Sequence, residues 1–331
     1  MSEHSDQTIL VTGAAGFIGY HLCMRLLDHG MRVFGVDNVN SYYDPSLKRA
    51  RLNELAPFEK FTFLEGDLAE EGFVQHLFTE AKPDVVVHLA AQAGVRYSIE
   101  NPRAYIDSNV IGFFNVLEQV RYHPVKHFLY ASSSSVYGNR DKTPFSVEDR
   151  VDQPISLYAA TKKSNELFAY TYSHLYGVPA TGLRFFTVYG PFGRPDMAYF
   201  KFTKSILEGK PIDVYNGGDM LRDFTYIDDV TACLEQMLFC PPKPDNTGAP
   251  NAVYNIGNHS PVKLIDFIGA IELALGKRAQ LNFLPMQAGD VEKTYADIES
   301  TQRDFGFEPK TQIKEGLQQF ANWYISYYSQ N

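Results

Sequence analysis

The stretch TILVTGAAGFIG, residues 8–19, decides the fold. Thr8–Thr12 is a β-branched and almost wholly apolar run, as a strand buried on both faces requires. It passes directly into Gly13-Ala14-Ala15-Gly16-Phe17-Ile18-Gly19. Glycines allow a tight turn and a close backbone approach to a pyrophosphate. The helix that follows adds its N-terminal N–H groups and dipole. A glycine triad alone is a weak signal, but between a strand and a helix it has the context such a site requires.

Moving outward, the next apolar run, RVFGV (32–36), ends at Asp37. A carboxylate about 20 residues beyond the glycines binds both ribose hydroxyls and repels a 2′-phosphate, which predicts NAD rather than NADP. A plain strand-end turn is the alternative. FTFLE (61–65), DVVVHLA (84–90), HFLYAS (127–132) and TGLRFF (181–186) read as further buried strands. Helical spacing falls between them over 17–30, 70–81, 102–122 and 157–176. This alternation predicts an α/β fold with a doubly wound parallel sheet. After 186 the rhythm gives way to Gly, Pro and aromatic clusters, with two more helical patterns near 263–275 and 314–325. The expected division is a cofactor domain over 1–186 plus about 223–258, and a smaller C-terminal α/β substrate region over 187–222 and 259–331.

Composition narrows the function. Of 331 residues, 44% are hydrophobic and 21% charged, which is ordinary globular usage. A net charge of −9 argues against a nucleic-acid partner. Cys23, Cys233 and Cys240 cannot build a disulfide framework and read as small buried hydrophobes in a reducing compartment. With neither a secretory leader nor a membrane span in view, the expectation is a soluble, cytoplasmic protein. Nothing in the sequence calls for a metal.

Tyr158-Ala159-Ala160-Thr161-Lys162 sets a phenol and an ammonium on one face of a predicted helix. A phenol, with a reference pKa of about 10, is a poor base at neutral pH. A neighbouring ammonium favours the phenolate, as a positive nicotinamide ring also would. The serines of ASSSSVYG (131–138) stand at a strand end, where a hydroxyl fits between substrate and phenolate or satisfies turn amides. Asp67, after the third strand, fits either an adenine amino group or a helix N-cap.

Together with LAAQAGVRYS (89–98), RDFTYIDD (222–229) and GDVEKTYAD (289–297), these motifs resemble the extended short-chain dehydrogenase/reductases that modify nucleotide sugars. The resemblance spans essentially the whole chain and implies a Rossmann-like fold. Within that family, VDNVNSYYDPSLKRARL (36–52) and TVYGPFGRPDMA (187–198) are most similar to the UDP-glucuronate 4-epimerases.

The resemblance implies roles by position. Tyr158 would be the base, with Ser133 in its proton path and Lys162 on the nicotinamide ribose. Gly13, Gly16, Phe17, Ile18, Gly19, Asp37, Asn38, Asp67, Leu68 and Ala90 would line the NAD site. Arg96, Ser133, Ser134, Thr187, Arg194, Met197, Arg222 and Asp290 would contact the UDP-sugar, with Arg222 on the diphosphate and Asp290 near the uridine ribose. A salt bridge to Asp223 or Asp228 is the plainer reading of Arg222, and Asp228 itself reads as a helix cap. Dehydratases and decarboxylases of the family carry an acid where this chain has Ser135. Its absence favours oxidation followed by simple reversal, which is epimerisation.

The expected function is therefore C4 epimerisation of UDP-glucuronate by a homodimer. A 4-epimerase of a neutral UDP-sugar is the runner-up. A non-catalytic NAD-binding sensor is a third reading, though such proteins often lose the Tyr or the Lys kept here. Arg194, in YGPFGRPDMAY (189–199), is expected to hold the sugar carboxylate and is otherwise a solvated surface charge. The helices at 102–122 and 157–176 are apolar on more than one face, Val110, Ile111, Phe113, Phe114, Val116 and Leu117 exceeding a single stripe, which points to a two-fold four-helix contact.

Overall fold

A computed structural model describes residues 6–286 and 291–329, so Asp290 lies outside the described residues. In chain order the strands are β1 (Thr8–Thr12), β2 (Arg32–Asp37), β3 (Phe61–Glu65), β4 (Val85–His88), β5 (His127–Ser133), β6 (Ala180–Phe185), β7 (Thr187–Tyr189), β8 (Pro211–Tyr215), β9 (Leu221–Tyr226), β10 (Asn251–Ile256), β11 (Pro261–Lys263) and β12 (Gln280–Leu284).

Seven of these form a parallel sheet in the order β10-β6-β5-β4-β1-β2-β3. β1 pairs with β2 on one side (Leu10 opposite Phe34) and with β4 on the other (Leu10 opposite Val86). The strand order therefore reverses beside β1. In open α/β sheets, the carboxyl ends of strands at such a reversal form the ligand crevice. The glycine loop leaves the sheet there, and so does Leu89-Ala90 after β4.

The sheet is held by an apolar core in which Leu10, Val36, Val86, Phe128 and Tyr130 meet Val74, Leu77, Phe78, Phe113, Val116 and Leu117. Burying each large apolar side chain contributes about 1.5–3 kcal/mol. Around it lie α1 (Phe17–Asp28), α2 (Pro45–Leu55), α3 (Glu71–Ala81), α4 (Tyr97–Glu100), α5 (Pro102–Tyr105), α6 (Gly112–Tyr122) and α7 (Leu157–Tyr176). The helix expected over 102–122 is present but interrupted by a π-helical segment, Ile106–Ile111, between α5 and α6. The Ser156 hydroxyl caps α7 by accepting the Ala159 N–H at 3.1 Å, and Gly177 ends it with φ of 69°. α2 was not expected, yet its start is a standard one. Asp44 accepts the Ser46 N–H at 2.9 Å and Pro45 takes the first helical position.

The chain divides into two compact units: Met1–Gly138, Arg150–Arg184 and Thr231–Tyr254, and Asn139–Asp149, Phe185–Val230 and Asn255–Asn331. Residues 139–149, 185–186, 223–230 and 255–258 thus group differently from the expected boundaries. Phe145 and Asp223 account for this. The Phe145 backbone bonds Tyr295 and Asp297 at 2.7 and 3.0 Å, and its carbonyl accepts from Asn255 at 2.7 Å. Asp223, fully buried, accepts the N–H groups of Asn258, His259 and Ala296 at 2.9, 3.2 and 2.8 Å.

The second unit contains a three-stranded sheet, β11-β9-β7, and a parallel pair, β12-β8. The later helices are α8 (Ala198–Leu207), α9 (Ile227–Met237), α10 (Leu264–Leu275), α11 (Glu299–Phe305) and α12 (Ile313–Ser329). α10 and α12 are the two expected helices, whereas α8, α9 and α11 were missed among the aromatic and turn residues. Asp228 sits inside the first turn of α9 rather than at its cap, where its charge still favours the helix dipole. Cys23 and Cys233 are buried as expected, but Cys240 is exposed. Among the described residues no helix is long and apolar enough to cross a membrane.

Candidate active site

The glycine loop is sterically obligatory. Gly13 has φ of +74°, and a Cβ there would lie 2.8 Å from the Ala90 nitrogen. A Cβ at Gly19 would lie 2.1 Å from the Gly13 carbonyl oxygen. The loop therefore packs against β4 and its own helix with no room for a side chain. This is the cradle that a dinucleotide pyrophosphate needs. Phe17 and Ile18 open α1, and the Ala90 N–H is fixed by the Thr12 hydroxyl at 3.1 Å.

At the end of β2, Asp37 Oδ1 accepts the Val39 N–H at 2.8 Å and lies 3.8 Å from Lys48 Nζ. Val39 is held at φ of 46°, an unusual place for a β-branched residue and a local strain of the kind that collects at ligand sites. The Asn38 amide donates to Asp67 at 3.0 Å, and Asp67 also accepts the Ala69 N–H at 2.9 Å. Asp67 is thus no cap for α3, whose first turn begins beyond it. The Leu68 carbonyl accepts from Asn115 at 2.9 Å.

Tyr158 and Lys162 lie one turn apart on α7. Lys162 is 2% exposed and donates to the Ala131 carbonyl at 2.9 Å. Burial draws its ammonium down to about 7. The Tyr158 ring meets Tyr105 edge-on at 6.0 Å. In the serine stretch, Ser132 is committed to Glu166 at 2.7 Å. The Ser133 hydroxyl accepts the Ser135 N–H at 3.1 Å and lies 3.2 Å from the Ser135 hydroxyl. Ser134 begins the short turn that Ser133 caps. Arg96 precedes α4, and its carbonyl accepts the Ile99 N–H at 2.9 Å.

In the second unit, Thr187 opens β7 opposite Phe224 of β9. Arg222, also on β9, donates to the Leu221 and Glu292 carbonyls at 2.9 and 3.0 Å. Arg194 starts a four-residue turn closed by the Met197 N–H on its carbonyl at 3.2 Å, with Pro195 at the second place that its fixed φ suits. The Arg194 guanidinium grips Asp196 side-on, Nε to Oδ1 at 3.0 Å and Nη2 to Oδ2 at 2.5 Å. It is not simply a solvated charge.

A family model described as GDP-mannose 4,6 dehydratase matches residues 10–320. The chain belongs to this family. Among its relatives, protein CapI of Staphylococcus aureus is 53% identical over 97% of this chain and 99% of its own length. UDP-glucuronate 4-epimerase 1 of Arabidopsis thaliana is 48% identical over 98% of this chain and 78% of its own. The crystal structure of UDP-glucuronic acid 4-epimerase from Bacillus cereus, in complex with UDP-glucuronic acid and NAD, superposes with a TM-score of 0.88 at 34% identity. That match covers 97% of this chain and all of that one.

Against this family background, three supports of the site went unnoticed in the sequence. Lys48 and Arg51 of α2 brace the glycine loop and Asp37. Arg51, fully buried, donates to the Ala15 carbonyl at 2.7 Å and the Tyr43 hydroxyl at 2.8 Å. Glu166 holds Ser132 while Arg184 clamps it at 2.8 and 2.9 Å and also reaches the Tyr137 hydroxyl at 3.0 Å. Burial alone would raise the Glu166 carboxyl, but the Arg184 hydrogen bonds win and hold it below the usual range. Asn109, in the π-helical segment, bonds the Gln92 backbone at 2.8 and 2.9 Å and the Thr161 hydroxyl at 3.1 Å. Only the α2 pair left a signal, as cations four and seven residues after an Asp-Pro helix start.

Proposed function

We infer that this chain is an NAD-dependent UDP-glucuronate 4-epimerase, interconverting UDP-glucuronate and UDP-galacturonate. What supports this is a likeness, over nearly all of this chain, to proteins named as UDP-glucuronate 4-epimerases or probable ones, including a solved one holding UDP-glucuronic acid and NAD. The glycine cradle and Asp37 fit NAD. Gly13, Gly16, Phe17, Ile18 and Gly19 would hold its pyrophosphate, and Asp37 with Asn38 its adenosine ribose. Asp67, Leu68 and Ala90 would flank the adenine and the loop, and Lys162 would hold the nicotinamide ribose. When bound, NAD supplies the acceptor and donor of hydride at C4.

Tyr158, as phenolate, takes the proton of the sugar 4-hydroxyl, with Ser133 in the proton path and Ser134 as a further substrate contact. Lys162 and the phenolate favour each other's charged forms. Epimerisation then requires the 4-keto sugar to turn and present its other face before Tyr158 gives the proton back to the C4 oxygen. On the family resemblance, Arg222, Arg96 and Asp290 are assigned to UDP, and Thr187, Arg194 and Met197 to the sugar. Because Asp196 already pairs with Arg194, a neutral UDP-sugar remains the competing substrate. Incubating the protein separately with UDP-glucuronate, UDP-glucose and UDP-N-acetylglucosamine and assigning products by NMR decides between them. Formation of UDP-galactose without UDP-galacturonate would overturn the reading.

The working form is a cytoplasmic homodimer. Ile111 and Phe114 are 40% and 44% exposed, and Leu167, Tyr170, Leu175 and Tyr176 on α7 are 55%, 39%, 61% and 45% exposed. Two copies pairing these helices would cover this apolar surface. A monomeric mass by light scattering at micromolar protein would contradict it.

A further inference from the structure

We propose that Asp196 is the exchange partner of the sugar carboxylate: it holds the Arg194 guanidinium until UDP-glucuronate displaces it, and takes the guanidinium back while the keto sugar turns. This rests on the reading of the site as an acid-sugar epimerase.

The loop that carries the pair is fixed at both sides of Arg194. Phe192 sits at φ of 53° with its ring 5.0 Å from Trp323 and 6.1 Å from Tyr327 of α12. Gly193 lies so close to Tyr199 that a Cβ would come within 2.2 Å of its hydroxyl, and that hydroxyl accepts the Arg194 N–H at 3.3 Å. Tyr199 is itself fully buried against Phe320, ring to ring at 4.9 Å. A non-glycine residue in the left-handed region, packed on partly buried α12 rings and followed by a glycine held against the buried Tyr199, is a conformation that the surroundings over-determine. These contacts hold the backbone of the turn, so an exchange at this point falls to the side chains.

Those side chains make the same bidentate contact that a guanidinium offers any carboxylate: two parallel charge-assisted hydrogen bonds. The Arg194 and Asp196 side chains are 25% and 22% exposed, so a released Asp196 carboxylate reaches water. If Asp196 stayed while the sugar carboxylate arrived, two like charges would crowd one cation. Exchange instead conserves both the charge and the number of hydrogen bonds. The cation is never left unpaired, and the acid sugar is held by an interaction that can be returned. A sugar that must rotate between two hydride transfers needs a grip of this kind, with the stronger anchoring kept for UDP.

The test is Asp196→Asn, assayed with UDP-glucuronate. An amide cannot supply the charged fork, so the carboxylate that competes with the substrate for Arg194 is gone. KM should fall about three- to fivefold, the scale of a partly exposed ion pair removed as a competitor. The maximal rate should fall by a similar factor, because the sugar is released for rotation less readily. Asp196→Glu should restore both constants toward wild type, and in an Arg194→Ala background Asp196→Asn should change neither. A KM that is unchanged or raised in Asp196→Asn, or an equal shift without Arg194, overturns the exchange. Should Asp196→Asn fail to fold, Asp196→Ser carries the same comparison. A wild-type protein that makes no UDP-galacturonate would sink the epimerase reading itself. Normal wild-type turnover with an unchanged Asp196→Asn KM would sink the exchange alone.

Discussion

The two units hold their candidate site residues by different means. In the first, the residues are set by backbone geometry and local periodicity: a loop with no room for side chains, a carboxylate at a strand end, and a pair one helical turn apart. In the second, Arg194 sits where it does because Phe192, Tyr199, Phe320 and Trp323, from separate parts of the chain, pack around its loop. A site built on local rules tolerates changes beneath it poorly but is easy to recognise. A site built on tertiary packing has no short signature.

The largest test of this contrast is Glu166→Ala. It would strand the buried Arg184 guanidinium beneath the serine stretch. Removing one partner of such a pair should cost about 3–5 kcal/mol. Urea denaturation measures it, and a loss near that of a surface pair would show that the first unit leans less on buried charge than its geometry implies. Next is Tyr158→Phe, which keeps shape and removes the proton acceptor. Turnover should drop at least about 100-fold with NAD still bound. Near-normal turnover would detach the helix-spaced pair from the chemistry.

Arg194→Ala probes the second unit. Selectivity for UDP-glucuronate over UDP-glucose should fall by about 1.5–3 kcal/mol, the worth of hydrogen bonds to a charged group. Among remaining turnovers a larger share should end as UDP-4-keto-pentose, CO₂ and NADH, since a 4-keto uronate whose carboxylate is not held out of line with the carbonyl can lose CO₂. Unchanged selectivity and no pentose would leave Arg194 a structural partner of Asp196 only.

The smallest effect is a pH slope. Lys162 has a folded value of about 7 against an ordinary 10.5, with burial as the cause. Between those values the unfolded chain binds the extra proton, so stability rises with pH. Below about 7 both states are protonated and the burial penalty is present in full. Cofactor-stripped protein should therefore gain up to about 1.4 kcal/mol per pH unit between about pH 7.5 and 9. Lys162→Met should flatten that slope, and an equally steep mutant would assign it to other groups.

The same contrast explains what was legible. Five of the six strands expected up to residue 186 were readable because they lie inside the sheet and are largely buried and apolar, and most helices between them keep a 3.6-residue period; β3, expected to be buried, is a partly exposed edge strand that was legible only from its apolar residues. α2 escaped because Lys48 and Arg51 are buried cations, which break the apolar rule that reveals a helix face. The α8, α9 and α11 helices escaped because the segment around them reads as turns and aromatics. Ser132 and Ser133 looked alike in sequence, and only the Glu166 carboxylate separates them. Asp196 stood two residues from Arg194 in plain view, but nothing in the spacing showed that the two side chains clasp each other.

Trp323 is the only tryptophan in the chain, and its indole stacks on Tyr327 at 5.4 Å while touching Phe192. The molecule therefore carries one indole fluorophore, which can be excited apart from its tyrosines, packed against Phe192 two residues before Arg194 and within the unit that holds it. Its emission is a site-specific optical signal for that loop. Adding UDP-glucuronate should shift it, and a Phe192→Ala protein should emit differently before any ligand is added.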